Sequence, residues 1–182
     1  MIIFDFETTD LTLPEEARLS KQPEIIEFAG VKIDESDPDL AISEELEFLC
    51  RPKKRIPEFI SNLTNITNEM VENEFPFVGS LESLESFFRG ERICIAHNVA
   101  FDIQILSIEL RRLDRIMNFP WPSSHLCTAE NSAQIYGKRI KLGDLYEKTF
   151  GKKFKEAHRA MPDVKALASI VRNQIQKGEL SI

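Results

Sequence analysis

The chain opens on Ile2, Ile3, Phe4, Asp5, Phe6 and Glu7, an apolar run interrupted by two carboxylates one residue apart. No other feature narrows the fold as much. Bulky apolar residues in this density read as a strand covered on both faces, where an unpaired charge is costly. Side chains at i and i+2 of a strand share a face, about 6.5–7 Å apart along the backbone. Asp5 and Glu7 can therefore converge on one object, and a divalent cation would cancel their repulsion. The plain alternative is a strand whose end reaches solvent, and this short stretch alone does not decide between the two.

The patterning that follows predicts a mixed sheet covered by helices. Residues 24–33 read as a second strand, "SDPD" (36–39) as a turn, and residues 43–50 as a third strand with alternating apolar and acidic positions. Together with residues 1–7 they suggest an antiparallel meander. A short helix is expected over Thr67–Asn73 with Thr67 as N-cap. A better one follows Ser80, with Leu81, Leu84, Phe87 and Phe88 on one face and Gly90 as its stop. Residues 92–98 form another β-rich run, leading into a helix from Val99 to Arg115 capped by Asn98. A fifth strand near Ser124–Cys127 precedes helical stretches at 128–137 and 141–151, ending at Gly137 and Gly151. Pro162 marks the expected start of a last helix, running to Lys177 before Gly178. Three strands followed by alternating strands and helices give an α/β class.

With 182 residues the chain suits one domain with a well-buried core. No stretch approaches the roughly 20 apolar residues of a membrane span, and the N-terminus lacks a signal-like segment. The three cysteines, Cys50, Cys94 and Cys127, are far apart and odd in number, which suggests free thiols in a reducing, cytoplasmic setting. Net charge is −7, at first sight unsuited to a polyanionic partner. The distribution softens that objection. Between Lys138 and Lys165, nine basic residues, including Lys152, Lys153, Lys155 and Arg159, face four acids. A basic edge beside an acidic pocket can hold a phosphate backbone at the edge and metal ions in the pocket, although a solvated helical surface would carry the same charges.

Two further acidic stations follow the first. "HNVAFD" (97–102) places Asp102 in the first turn of the long helix, and "HRAMPDV" (158–164) places Asp163 at the start of the last one. His158 lies five residues before Asp163, on the loop rather than on the same helical face. Each station alone has an ordinary explanation, an acid favoured at a helix N-terminus. In the order Asp5, Glu7, Asp102, His158, Asp163, however, the chain resembles the DEDDh 3′–5′ exonucleases, the family of the proofreading epsilon subunit, ribonuclease T and oligoribonuclease. The likeness rests on D-F-E-T-T, H-N-x-x-F-D and H-x-A-x-x-D in that order, and runs from Met1 to about Lys177.

That resemblance implies a ribonuclease H-like fold and hydrolysis of phosphodiester bonds from the 3′ end with two divalent cations, Mg²⁺ or Mn²⁺. It implies Asp5, Glu7, Asp102 and Asp163 as metal ligands and His158 as the general base. Thr8, Thr9 and Leu11 match the stretch that receives the terminal nucleotide, Asn98 and Arg159 join them as expected substrate contacts, and His97 is expected to be structural. The partner implied is a nucleic-acid 3′ end, with DNA favoured, single-stranded or frayed. Trimming of RNA 3′ ends is the alternative within the class, and a catalytically idle end-binding adaptor the alternative outside it. All five catalytic positions being intact argues against the idle form. The chain stops just after the last helix, which suggests a free-standing enzyme. Two positions depart from the family. Asp10 and Asn65 stand where relatives have Gly, and both residue types tolerate a left-handed backbone.

Overall fold

The computed structural model describes residues 1–154 and 158–180. Five strands form one mixed sheet in the order β3-β2-β1-β4-β5. β1 (Ile2–Thr8), β2 (Ile25–Ile33) and β3 (Ile42–Leu49) are the antiparallel meander, and β4 (Ile93–Ala96) and β5 (Ser124–Cys127) add in parallel beside β1. The central strands are almost wholly buried, as their continuous apolar runs require. β3 lies at the edge with Glu44, Glu45 and Glu47 exposed, charges that discourage pairing with another chain.

Seven α-helices, α1 (Glu58–Thr64), α2 (Asn68–Val71), α3 (Leu81–Phe88), α4 (Val99–Arg112), α5 (Thr128–Tyr136), α6 (Leu142–Phe150) and α7 (Ala160–Gln176), and one 3-10 turn (Phe77–Ser80) complete the elements of the described residues. One face of the sheet, with Ile2, Phe4, Phe6 and Phe28, packs on Leu84, Phe87 and Phe88 of α3 and Ile105 and Leu106 of α4. The other, with Ile3, Ala29, Val31 and Ile95, packs on Val164, Leu167, Ala168 and Val171 of α7. Each fully buried Phe or Leu in these layers contributes about 1.5–3 kcal/mol over leaving it exposed. Gly30 must stay small, since a Cβ there would come within 2.8 Å of the Phe87 ring. No described helix is long and apolar enough to cross a membrane.

The expected elements are present, with instructive differences at their ends. α7 starts at Ala160 rather than Pro162. Proline fits anywhere in a first turn, where its missing N–H would have no helical partner. α4 stops at Arg112 rather than Arg115, because Asp114 turns to φ +55° and breaks the helix. Thr67 and Asn98 occupy N-cap positions, but neither makes the expected side-chain cap bond. α1 was not expected; it is a seven-residue helix entered from Pro57.

Candidate active site

The two-face packing decides where the acids point. Ile3 belongs to the α7 side of the sheet and Ile2, Phe4 and Phe6 to the α3–α4 side. By strand alternation Asp5 and Glu7 therefore share the α7 face. α7 carries Asp163 in its first turn above them. Asp5, Glu7 and Asp163 each offer a carboxylate oxygen, and these atoms lie within 4.8 Å of one another. Asp102 reaches the same region from α4. β4 pairs with β1 only at Ile2 and Ile3, so the later part of β1 has no strand on that side. The Phe6 N–H there donates to Asp102 Oδ1 at 3.3 Å, and Asp102 is only 1% exposed. The parallel strands β1 and β4 thus open a crevice at their carboxyl ends, where α/β sheets commonly hold their ligands.

Burial raises every one of these carboxyls above its ordinary range, and neighbouring acids add to it at Asp5, Glu7 and Asp163. Asp5 is pushed well up by burial first, then by Asp102, Glu7, Asp163 and Glu27. Glu7 rises to about 8, through burial and then Asp163, Glu27 and Asp102, with Arg159 pulling it back. Burial takes Asp102 to about 8 against the Phe6 hydrogen bond, and Asp163 to about 6 against a hydrogen bond from His158. A cation bound among them would reverse that balance by favouring the ionised forms. The donor set also fits one chemically. All are hard oxygens suited to Mg²⁺ or Mn²⁺, and Asp163 Oδ1 is buried with no hydrogen-bond partner.

His158 stands exposed at φ +70°, and its backbone N–H donates to Asp163 Oδ2 at 3.1 Å. It borders a cavity of about 570 Å³ shared with Asp163, His97, Asn98, Arg139 and Phe154. Asn98, at φ +84°, lines the same cavity. Two non-glycine residues in the left-handed region beside one cavity mark a locally strained site. His97 faces Thr128 Oγ1 at 2.9 Å, a contact that ties β4 to α5.

The expected substrate contacts fall into two groups. Leu11 is 74% exposed beyond the end of β1 and free to meet a ligand. Thr8 and Thr9 are buried and build the loop: Thr8 Oγ1 donates to the Asp10 carbonyl at 2.7 Å, and Thr9 Oγ1 accepts the Glu24 N–H at 3.0 Å. Asn98 Oδ1 accepts from Arg139 Nη2 at 2.8 Å, and Arg139 also pairs with Glu130 at 3.1 Å. Arg159, also expected as a substrate contact, directs Nε and Nη2 of its guanidinium to Glu27. The basic stretch is thus partly neutralised, since Lys165 pairs with Glu45 at 2.9 Å as well. Lys152 and Lys153 are exposed, and Lys155 lies outside the described residues.

Of the two departures, Asn65 takes φ +58° and needs the left-handed tolerance expected of it. Asp10 does not: it is absent from the positive-φ residues, and its Oδ1 accepts the Leu11 N–H at 2.8 Å. Sequence reasoning missed Glu27 and Arg139. A signal for Glu27 was available, as the one charge between Ile26 and Phe28 in an apolar strand.

Comparison with known proteins gives a family and a fold. The RNase_T family model, described as an exonuclease, matches residues 2–171. A DNA polymerase III PolC-type of Clostridium perfringens is 29% identical over 178 residues, 97% of this chain, and the PolC-type of Staphylococcus aureus is equally similar. The chain spans 11% of the length of these relatives. Among solved structures, the nuclease domain of 3′hExo, a DEDDh family member bound to rAMP, aligns with a TM-score of 0.75 at 23% identity, covering 100% of this chain and 94% of that one. Exonuclease X in complex with 5′ overhanging duplex DNA aligns with a TM-score of 0.67 at 20% identity, covering 99% and 93%. These likenesses concern the fold, whereas the family model spans nearly the whole chain together with its three acidic stations. The chain belongs to the RNase_T family of exonucleases.

Proposed function

We propose that this protein is a metal-dependent 3′–5′ exonuclease that removes nucleoside 5′-monophosphates from single-stranded or frayed DNA ends. The observation that carries the reading is the convergence of Asp5, Glu7 and Asp163, with Asp163 Oδ1 buried and unpartnered. These three residues, with Asp102 beside them, would hold two divalent cations. Such a pair, when bound, activates water and stabilises charge on the leaving oxygen. Asp163 holds the His158 backbone through its other oxygen, so one helix turn carries a ligand and the neighbour of the base. From its exposed position bordering the cavity, His158 takes the proton of the water that attacks phosphorus, and the P–O3′ bond breaks. Leu11 offers an apolar surface for the terminal base. DNA is favoured because the curated relatives, at 29% identity, are DNA polymerases.

The test is a polarity assay on 5′-labelled single-stranded DNA, duplex DNA and short RNA, with Mg²⁺, Mn²⁺ or chelator. Stepwise shortening from the 3′ end of DNA, abolished by chelator, is expected. Faster shortening of RNA would move the substrate to RNA 3′ ends. Inert protein in every arm would leave an end-binding adaptor.

A further inference from the structure

Glu27 is 0% exposed near the start of β2, on the α7 face, and its register partner across the antiparallel pair is Glu7. A carboxylate so placed must be paired to be tolerated, and more so beside three others. Arg159 supplies the partner. Its Nε lies 3.0 and 3.2 Å from the two Glu27 oxygens, and its Nη2 lies 2.6 Å from Oε1. The backbone N–H of Ala160, first residue of α7, donates to Glu27 Oε2 at 2.8 Å. Glu27 thus caps a 17-residue helix from a neighbouring strand, where the Arg159 side chain, at the N-cap position, makes no cap bond of its own.

Residues 158 to 163 are consequently fastened at three points. The His158 N–H reaches Asp163, the Arg159 fork reaches Glu27, and the Ala160 N–H reaches Glu27. Resting on the exonuclease reading for its consequence, we propose that Glu27 and Arg159 are a positioning pair: β2 uses them to hold the strained turn bearing His158, and the helix start bearing Asp163, in register with Glu7 on β1. His158 at φ +70° needs such fastening, because a non-glycine residue keeps that conformation only where its surroundings impose it. Lysine cannot replace the arginine, since a single ammonium lacks the planar fork. The arginine also sets a positive charge beside Glu7, so the fifth acid of the region adds little net charge to it.

The rival role is a direct phosphate contact, since Arg159 is 31% exposed and its Nη1 makes no bond to Glu27. Four variants separate the two: Arg159→Lys, Arg159→Met, Glu27→Gln and the double Glu27→Gln/Arg159→Met. For each, kcat and KM are measured on labelled single-stranded DNA. Oligonucleotide Kd is measured in chelator as a function of salt. Amide exchange over 158–163 and the melting temperature are measured on metal-free protein. The positioning role predicts kcat down by about 10- to 100-fold in Arg159→Lys and Arg159→Met, the usual effect of a misplaced catalytic group. KM and Kd should stay within about threefold, with an unchanged salt slope. Amide exchange over 158–163 should rise, and the double variant should melt no lower than Arg159→Met, because it leaves no buried charge unpaired. Unchanged exchange, or a weakened Kd with a flatter salt slope and retained kcat, would overturn the proposal. If the wild-type protein cut no nucleic acid at all, the exonuclease reading would fall, and exchange and melting would still decide the fastening.

Discussion

Replacing Asp5 by asparagine keeps the shape of the acidic cluster and removes its central charge. Asp5 meets Glu7 and Asp163 at no more than 4.8 Å between the nearest ligand atoms. At that spacing two unit charges in an effective dielectric of about 20 repel by about 3.5 kcal/mol. The folded protein relieves this by holding protons: Glu7 and Asp102 titrate at about 8 and Asp163 at about 6. Unfolded carboxyls release theirs near pH 4. Between roughly pH 4 and 8 the folded state therefore binds more protons than the unfolded one, and metal-free stability falls as pH rises through that window. Burial first, then Asp102, Glu7, Asp163 and Glu27, disfavour ionisation of Asp5, so Asp5→Asn should stabilise increasingly as pH rises, by up to about one pairwise repulsion, roughly 3 kcal/mol, at pH 8 and by less at pH 5. For a chain of this size that is a melting temperature higher by about 6–12 °C at pH 8. The assay is thermal unfolding in chelator at pH 5, 6.5 and 8 and fixed ionic strength, alongside cleavage in Mg²⁺. A gain equal at pH 5 and pH 8, or a loss at pH 8, would refute the electrostatic account, and near wild-type cleavage would refute the assignment of Asp5.

His158→Ala should keep oligonucleotide and metal binding, lose on the order of 10²–10⁴ in kcat, and lose the wild-type rise in rate through the histidine titration; full activity with the same pH profile would remove it as the base. Mn²⁺ or Mg²⁺ should raise the melting temperature more at pH 8 than at pH 5.5, because the ligands must shed protons to bind; differential scanning fluorimetry at both values reads this directly. Leu11→Ala combined with charge reversal at Lys152 and Lys153 should raise KM more than it lowers kcat and flatten the salt dependence, all three residues being exposed. Asn65→Ala should cost about 1 kcal/mol in denaturant melts and Asn65→Gly much less, as φ +58° requires.

Much of the architecture was written locally. The apolar runs of β1, β2 and β4 and the glycines after α3, α5 and α6 act through backbone preferences and burial that a short window contains. The acids of the candidate site were equally legible, because alternation alone puts Asp5 and Glu7 on one face, and spacing puts Asp102 and Asp163 in first helical turns. What only the tertiary structure decided was partnership across distance. Arg159 reads as one more cation in a basic stretch until the fold brings it to Glu27, 132 residues earlier. Asn98 reads as a helix cap until Arg139 takes its oxygen, and Ala160 begins α7 because a carboxylate on β2 accepts its N–H. Each of these choices is made by a charge or hydrogen-bonding group that burial obliges to find a partner, and the nearest partner is set by the stacking of α7 on β1 and β2 rather than by neighbours in the chain.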